Sequence, residues 1–275
     1  MERKPQYWVA ILLGLFTGPL GYLYVRRWKY AAVFFSAVVV AALFLFYFNI
    51  KTDYLAFINV LFAAHLCWLI RQGKTGPDVW YARWWGISGI FAAAFGSIFL
   101  LRTFVLEPFE IPGQSMSPML NPGEKILVSK MGYRAKWSYG RLLFTEGASE
   151  RTLVPGDMYV FVVPDTDVLY IKRLIGIPGD KIVISDGEVL RNGEPLATHR
   201  QPVQADQVLV TESLGEQEYQ ILRNFQRARP NELTIQVPED HYFFLGDNRD
   251  NSYDSRNFGV IPSERIVGKV VYHFE

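Results

Sequence analysis

The sequence predicts two parts: a multi-span α-helical membrane region over residues 1–104 and a mainly-β domain of packed antiparallel sheets over residues 105–275. Three observations support that division. Four apolar runs, each near the ~20 residues that cross a ~30 Å hydrocarbon core, crowd into the first part. Short β-branched and aromatic runs separated by turn residues fill the second. Charge divides at the same place: residues 1–104 carry ten Lys/Arg against three Asp/Glu, and the remainder carries eighteen against twenty-four. The 275-residue chain is half hydrophobic and 20% charged, which excludes a disordered protein. Its net charge of +1 argues against a general nucleic-acid binder. The single cysteine, Cys67, excludes an intrachain disulfide framework and a Cys-cluster metal site.

The apolar runs are roughly Tyr7–Val25, Tyr30–Ile50, Tyr54–Ile70 and Trp84–Phe104. Ala31 to Phe48 and Trp84 to Leu101 contain no charge, so the second and fourth are the clearest. The third is short and holds His65. The first contains Gly14, Gly18, Pro19 and Gly21, which permit a kink or a re-entrant hairpin. No Ala-x-Ala site follows it, which argues against a cleaved leader. Arg26, Arg27 and Lys29 follow the first run, and Arg71, Lys74 and Arg83 separate the third from the fourth. The positive-inside rule puts both loops in the cytoplasm and residues from about 105 onward outside it. Arg3 and Lys4 fit four full spans poorly, whereas a re-entrant first run accommodates them. No charged pathway crosses the runs, so a transporter is disfavoured.

After Phe104, strands are expected at Lys125–Ser129, Met158–Val163, Leu169–Ile175, Lys181–Ser185, Thr234–Val237, His241–Leu245 and Ile266–Phe274. Asp186-Gly187 and Asn192-Gly193 are hairpin turn signals. Arg134–Thr152 and the Gln-rich Arg200–Glu218 read as loops.

Three segments carry chemistry. Glu110-Ile-Pro-Gly-Gln-Ser115-Met-Ser-Pro118 presents serines in a Gly/Pro-fixed turn, and Ser117 is as eligible as Ser115. A serine needs a base. None of the four histidines, His65, His199, His241 and His273, stands in a motif-like cluster. Lys172 offers another base. In Leu169-Tyr-Ile-Lys172-Arg-Leu-Ile-Gly176, strand alternation sends Lys172 and Arg173 to opposite faces, so one of the two cations points to an apolar side. A buried lysine falls below its usual ~10.4 and becomes able to take a proton near neutral pH. The competing reading is an edge-strand lysine that snorkels to water. The third segment, Gly246-Asp-Asn-Arg-Asp-Asn-Ser-Tyr-Asp-Ser-Arg-Asn-Phe-Gly259, is not a Ca²⁺ loop. Arg249 takes the third ligand position, Ser252 replaces the sixth-position glycine and no Glu closes it. Its alternating charges suggest an ion-pair network, for instance Asp254 with Arg256 or Arg249.

Together these segments resemble type I signal peptidases, the bacterial leader peptidases with a Ser/Lys dyad. Glu107-Pro-Phe-x-Ile-Pro-Gly-Gln-Ser115-Met-x-Pro118 is similar to the family's nucleophile box. Gly156-Asp157…Val160-Phe161 is similar to its next strand, Tyr170-Ile-Lys172-Arg173-Leu-Ile-Gly-Ile-Pro-Gly-Asp180 to its general-base box, and Gly246-Asp-Asn-Arg-Asp-Asn-Ser252-x-Asp254-Ser-Arg256 to its last box. Little resembles the family between about 186 and 236.

The resemblance implies a membrane-bound serine endopeptidase that removes signal peptides from exported preproteins after Ala-x-Ala. It implies Ser115 as nucleophile, Lys172 as general base, Ser252 as the hydroxyl that orients the lysine, and Asp254–Arg256 as a supporting ion pair. The Ser115 N–H supplies half of the oxyanion hole. Many members place a second donor serine where this chain has Gly113. Phe109, Ile111, Pro112, Met116, Leu120, Val160, Tyr170 and Ile171 match positions lining shallow pockets for small side chains. No cofactor, metal or nucleic acid is implied. The implied partners are preprotein signal peptides and the lipid bilayer, with contact to the secretion machinery allowed. The implied location is the bacterial inner membrane, multi-pass, with the catalytic domain on the periplasmic side. Ser115 lies about eleven residues beyond Phe104, so the catalytic face is expected near the membrane surface. Typical members carry one or two spans, which leaves the role of residues 1–104 open. The alternative is a multi-span protein whose outer β-domain binds a partner without catalysis.

Overall fold

The computed structural model describes residues 5–48, 55–138, 141–147, 151–164, 166, 168–204, 207–224 and 232–274. The chain divides into two compact units, Met1–Ile98 and Phe99–Glu275.

The first unit is helical: α1 (Tyr7–Thr17), α2 (Gly21–Tyr24), α3 (Trp28–Tyr47), α4 (Leu55–Arg71) and α5 (Trp84–Leu100). The stretches Tyr7–Tyr24 and Trp84–Val105 are long and apolar enough to cross a membrane. The first of them is not one straight helix. Gly18 adopts a positive φ of 53° and Pro19 follows it, so α1 stops after eleven residues, about 16 Å of rise. The chain then doubles back. A Cβ on Gly21 would stand 3.2 Å from Gly14 N, and the Tyr24 hydroxyl accepts a hydrogen bond from Gln6 N at 2.8 Å. An unbroken helix would hold residues 18 apart at about 27 Å. The expected first span is therefore a helical hairpin with both ends on one side.

α1 packs tightly on α4, because Gly14 has no Cβ: one there would lie 2.6 Å from Ala63 Cα. Tyr22, fully buried, sits 2.6 Å from His65 Nδ1 within a cluster that includes Val25, Phe62, Leu66 and Leu69. His65 is thereby a structural partner in this unit.

The second unit contains β1 (Leu106–Glu110), β2 (Lys125–Ser129), β3 (Ala135–Ser138), β4 (Arg141–Thr145), β5 (Met158–Val162), β6 (Leu169–Gly176), β7 (Lys181–Ser185) and β8 (Glu188–Arg191). There follow β9 (Glu194–Pro195), β10 (Ala197–Gln204), β11 (Gln207–Leu214), β12 (Gln217–Asn224), β13 (Leu233–Gln236), β14 (His241–Leu245), a short helix α6 (Ser255–Phe258), β15 (Ile261–Pro262) and β16 (Ile266–Phe274). The main sheet has the order β1-β2-β16-β5-β6-β14-β15 with antiparallel neighbours. A second sheet, β13-β7-β8-β9, carries both expected hairpins. Asp186, Gly187, Asn192 and Gly193 all have positive φ, as primed two-residue turns require. β10-β11-β12 form an accessory sheet, and β3-β4 a separate ribbon.

Two expected loops are corrected here. Arg134–Thr152 contains the β3–β4 ribbon, and Arg200–Glu218 runs through β10, β11 and the start of β12. In β11 the inward positions are Val210, Glu212 and Leu214, so a carboxylate interrupts the apolar alternation.

Among the described residues, three apolar cores lie in this unit. Ile175, Ile182, Val210, Ile221 and Phe243 join the accessory and second sheets to the end of the main sheet. Met116, Leu120, Val128, Val160 and Val267 pack beneath the start of the chain segment that carries Ser115.

Candidate active site

Ser115 lies in a single 3-10 turn, Gln114–Met116, entered through an extended Gly113 and anchored by the fully buried Met116 and Leu120. Its carbonyl accepts from Asn248 N at 3.1 Å, and the Gln114 carbonyl accepts from Asn248 Nδ2 at 3.2 Å. The Ser115 turn and the loop after β14 are thus held together by the backbone and side-chain amides of Asn248.

Lys172 stands on β6 opposite Tyr159 of β5. Its Nζ is 2.7 Å from Ser115 Oγ and 2.9 Å from the Ile171 carbonyl. Only 2% of Lys172 is exposed, and Arg173, on the other face, is 5% exposed. Both neighbouring cations are therefore buried, and they are treated differently. Arg173 makes a bidentate pair with Asp247 (Nε–Oδ1 2.7 Å) and donates to the Gly156 carbonyl at 2.6 Å. Among the described residues, Lys172 touches no carboxylate. Burial pushes its amine down to about 8, although Asp254 and Asp247 pull the other way from a distance, and Arg256 adds to the lowering. One cation is neutralised by an acid and stays charged. The other is left close to releasing its proton.

The Asp254–Arg256 pair forms as expected: Arg256 Nε and Nη2 each lie 2.7 Å from an Asp254 oxygen. Burial alone would raise the Asp254 carboxyl, but Arg256 and the Gly246 N–H outweigh it and hold it below the usual carboxylate range. Asp254 also caps α6. Arg249 does not join Asp254. It pairs with Glu212 on β11, a residue no motif pointed to.

Ser252 is half-buried, with its hydroxyl tucked against Gly246, where a Cβ would stand 2.1 Å from Ser252 Oγ. Among the described residues that hydroxyl meets no partner in good hydrogen-bond geometry, but it stands near enough to the Asp254 carboxylate to help hold that acid low. The bond from Ser252 to the lysine amine is not made here; Lys172 Nζ bonds Ser115 Oγ and the Ile171 carbonyl. Ser117 bonds to Asn121 Oδ1 at 3.1 Å and is directed away from the lysine. His241 Nδ1 pairs with the Glu239 carbonyl, and His273 Nε2 with Glu124. Each is therefore committed elsewhere.

Of the expected pocket residues, Phe109, Ile111, Met116, Leu120, Val160 and Ile171 share one apolar cluster. Pro112 is exposed, and Tyr170 packs against Tyr253 and Phe258. The Tyr170 ring lies 5.4 Å from Lys172 Nζ.

A buried Ser/Lys pair on an antiparallel scaffold defines a class of hydrolase that needs no histidine. The profile of the family described as "Signal peptidase, peptidase S26" matches residues 83–274, and the chain belongs to that family. A signal peptidase I of Pseudomonas fluorescens is 37% identical over 190 residues, covering 62% of this chain and 66% of that protein. The chain thus spans just under two thirds of the length of that relative. A signal peptidase IB of Staphylococcus aureus is 34% identical over 188 residues, covering 66% of this chain and 85% of its own. A crystal structure of a signal peptidase I from Enterococcus faecalis aligns over 44% of this chain and 98% of its own, at 26% identity and a TM-score of 0.31.

Proposed function

We propose that the protein is a membrane-bound serine endopeptidase that removes N-terminal signal peptides from exported preproteins, cutting after the small residues of an Ala-x-Ala site. The observation that carries this reading is the 2.7 Å approach of Lys172 Nζ to Ser115 Oγ at an amine pushed down to about 8.

In the reaction, neutral Lys172 takes the Ser115 proton as Oγ attacks the scissile carbonyl. The tetrahedral oxyanion is met by the Ser115 N–H. Lysine then gives the proton to the leaving amine, so the mature N-terminus departs and the signal peptide stays as an ester on Ser115. A water deprotonated by Lys172 hydrolyses that ester, and the returning proton restores the serine. Phe109, Ile111, Pro112, Met116, Leu120, Val160, Tyr170 and Ile171 line shallow pockets for the small side chains before the cut. Ser252 orients the lysine when substrate fills the site, and Asp254–Arg256 fixes the loop that carries it.

The same reading places the chain in the bacterial inner membrane with its β-rich domain in the periplasm, facing the bilayer surface from which preproteins emerge. α3, α4 and α5 cross, and α1–α2 enters and returns. The basic loops of residues 25–29 and 71–83 then lie together in the cytoplasm. The further spans supply anchoring and a surface for the secretion machinery.

The test is cleavage of a purified preprotein with an Ala-x-Ala site in detergent, with the new N-terminus read by mass spectrometry. Wild type is expected to cut after the second Ala, and folded Lys172→Ala to be inactive. Equal cutting by both proteins overturns Lys172 as the base, and cutting by neither overturns the assignment and leaves the partner-binding reading.

A further inference from the structure

The accessory sheet meets the loop after β14 at a buried ion pair. Glu212 on β11 and Arg249 in the loop after β14 are each 2% exposed, and 37 residues separate them. They form a two-pronged pair: Arg249 Nη1 lies 2.6 Å from Glu212 Oε1, and Nη2 bonds Oε2. Fork-to-fork geometry fixes orientation as well as distance.

Arg249 spends its remaining groups on the loop. Its Nε donates to the Gly246 carbonyl at 3.2 Å, and its own carbonyl accepts from Arg256 Nη2 at 2.7 Å. Asp254, the acid paired with Arg256, accepts from Gly246 N at 3.0 Å. Both backbone groups of Gly246 are therefore pinned by charged side chains, one through Glu212–Arg249 and one through Asp254–Arg256.

Gly246 is the residue on which the site closes. A Cβ there would be 2.5 Å from the Ser115 carbonyl and 2.1 Å from Ser252 Oγ. Two residues on, Asn248 donates to Ser115 and to Gln114. Moving Gly246 moves the nucleophile turn and the hydroxyl beside it together. β12 reinforces the seam, with Leu222 N bonded to the Asp247 carbonyl at 2.8 Å.

We propose that Glu212 and Arg249 are a positioning pair for the Ser115–Lys172 site, holding Gly246 and hence the serine turn at the distance the lysine needs. This rests on the reading of Ser115 and Lys172 as the reacting pair. The accessory sheet is then part of the catalytic apparatus through this pair. A loosened loop also admits water to Lys172, whose burial is the main reason its amine is easily deprotonated.

The experiment uses the full-length protein in detergent and a preprotein whose cleavage depends on Lys172. Wild type and Lys172→Ala run alongside, so failure of the underlying reading is seen separately, as wild-type activity that does not need Lys172. Two variants probe the pair. Glu212→Gln keeps the shape and removes the charge. Glu212→Met combined with Arg249→Met removes both charges and keeps apolar volume, an exchange that buried ion pairs often tolerate. In each, kcat per folded molecule is expected to fall about 10- to 100-fold, the cost of a small misplacement of reacting groups. KM is expected to stay within about threefold. The acidic limb of the kcat/KM profile is expected to move upward from about 8. A loss that follows the folded fraction alone, with kcat per folded molecule and the acidic limb both as in wild type, overturns the proposal and leaves the pair a purely structural clamp.

Discussion

Arg26 and Asp78 form an ion pair of 2.9 Å that joins the segment after the helical hairpin to the segment before α5. The join is wider than one contact. Gly76 N donates to the Val25 carbonyl at 3.2 Å, and Arg27 Nε donates to the Lys74 carbonyl at 2.8 Å. Arg26 itself has a φ of 62°, and a Cβ on Gly76 would meet the Arg26 carbonyl at 2.3 Å. Two basic segments 50 residues apart are thereby tied to the same end of the helical unit, as the positive-inside rule requires if both are cytoplasmic.

That geometry makes a topology prediction. In a Cys67→Ser background, Gln6→Cys, Arg27→Cys and Thr75→Cys are expected to react with a membrane-impermeant thiol reagent only when the cytoplasmic face is opened. If the first apolar run crosses, Gln6→Cys reacts from the opposite side to the other two.

The pH dependence follows from Lys172. Only the neutral amine can accept the serine proton, so kcat/KM is expected to rise about tenfold per unit below about pH 8 and to level off above it. Stability should move the same way. The folded amine, at about 8, lies below its ordinary 10.5, so below pH 8 both states carry the proton and the fold bears the whole cost of the buried charge. Between 8 and 10.5 only the unfolded chain holds the proton, and stability climbs. Lys172→Met is therefore expected to abolish cleavage and to stabilise the fold at pH 7, by on the order of 3 kcal/mol at most. Thermal melts at pH 7 and pH 10 check this. A Lys172→Met gain that does not shrink at pH 10 contradicts the argument.

Gly113 sets the third prediction. It sits at φ −141°, ψ 168°, extended backbone open to any residue, and a Cβ there meets nothing within 4 Å. A serine at this position has room to aim its hydroxyl at the oxyanion. Since one such donor is worth up to ~3 kcal/mol, Gly113→Ser is expected to raise kcat by about tenfold with little change in stability. Steady-state kinetics decide it, and an unchanged or lower kcat shows that the oxyanion has its donors already.

What could be read from the sequence was local. Gly18-Pro19 announced a break in the first run, and Asp186-Gly187 and Asn192-Gly193 announced hairpins, because each signal acts on its own φ and ψ. Ser115, Lys172 and the Asp254–Arg256 pair stood in compact boxes of adjacent residues. What escaped was set by contacts across the chain. β11 looked like a polar loop because its inward Glu212 finds its counter-charge only at Arg249. β3 hides Lys136 among its four buried residues, with its amine donated to the Tyr133 carbonyl at 2.8 Å, so a strand with so few apolar residues gave no pattern. The choice between Lys172 and Arg173 as the uncompensated cation was likewise invisible until Asp247 was seen to take the arginine.

The unequal treatment of those two cations reaches beyond the reaction. Burial makes Lys172 a standing cost to the fold, and in the proposed reaction its return is the chemistry at Ser115. In a duplicated copy freed from the need to cut, drift should discard that lysine early, since Met or Leu there makes a sturdier protein. Arg173, locked to Asp247, would persist in the same copy because removing it strands a buried acid. A lysine followed by an arginine on this strand is thus the mark of a chain still selected as an enzyme, and an apolar residue before the arginine the mark of one that has retired.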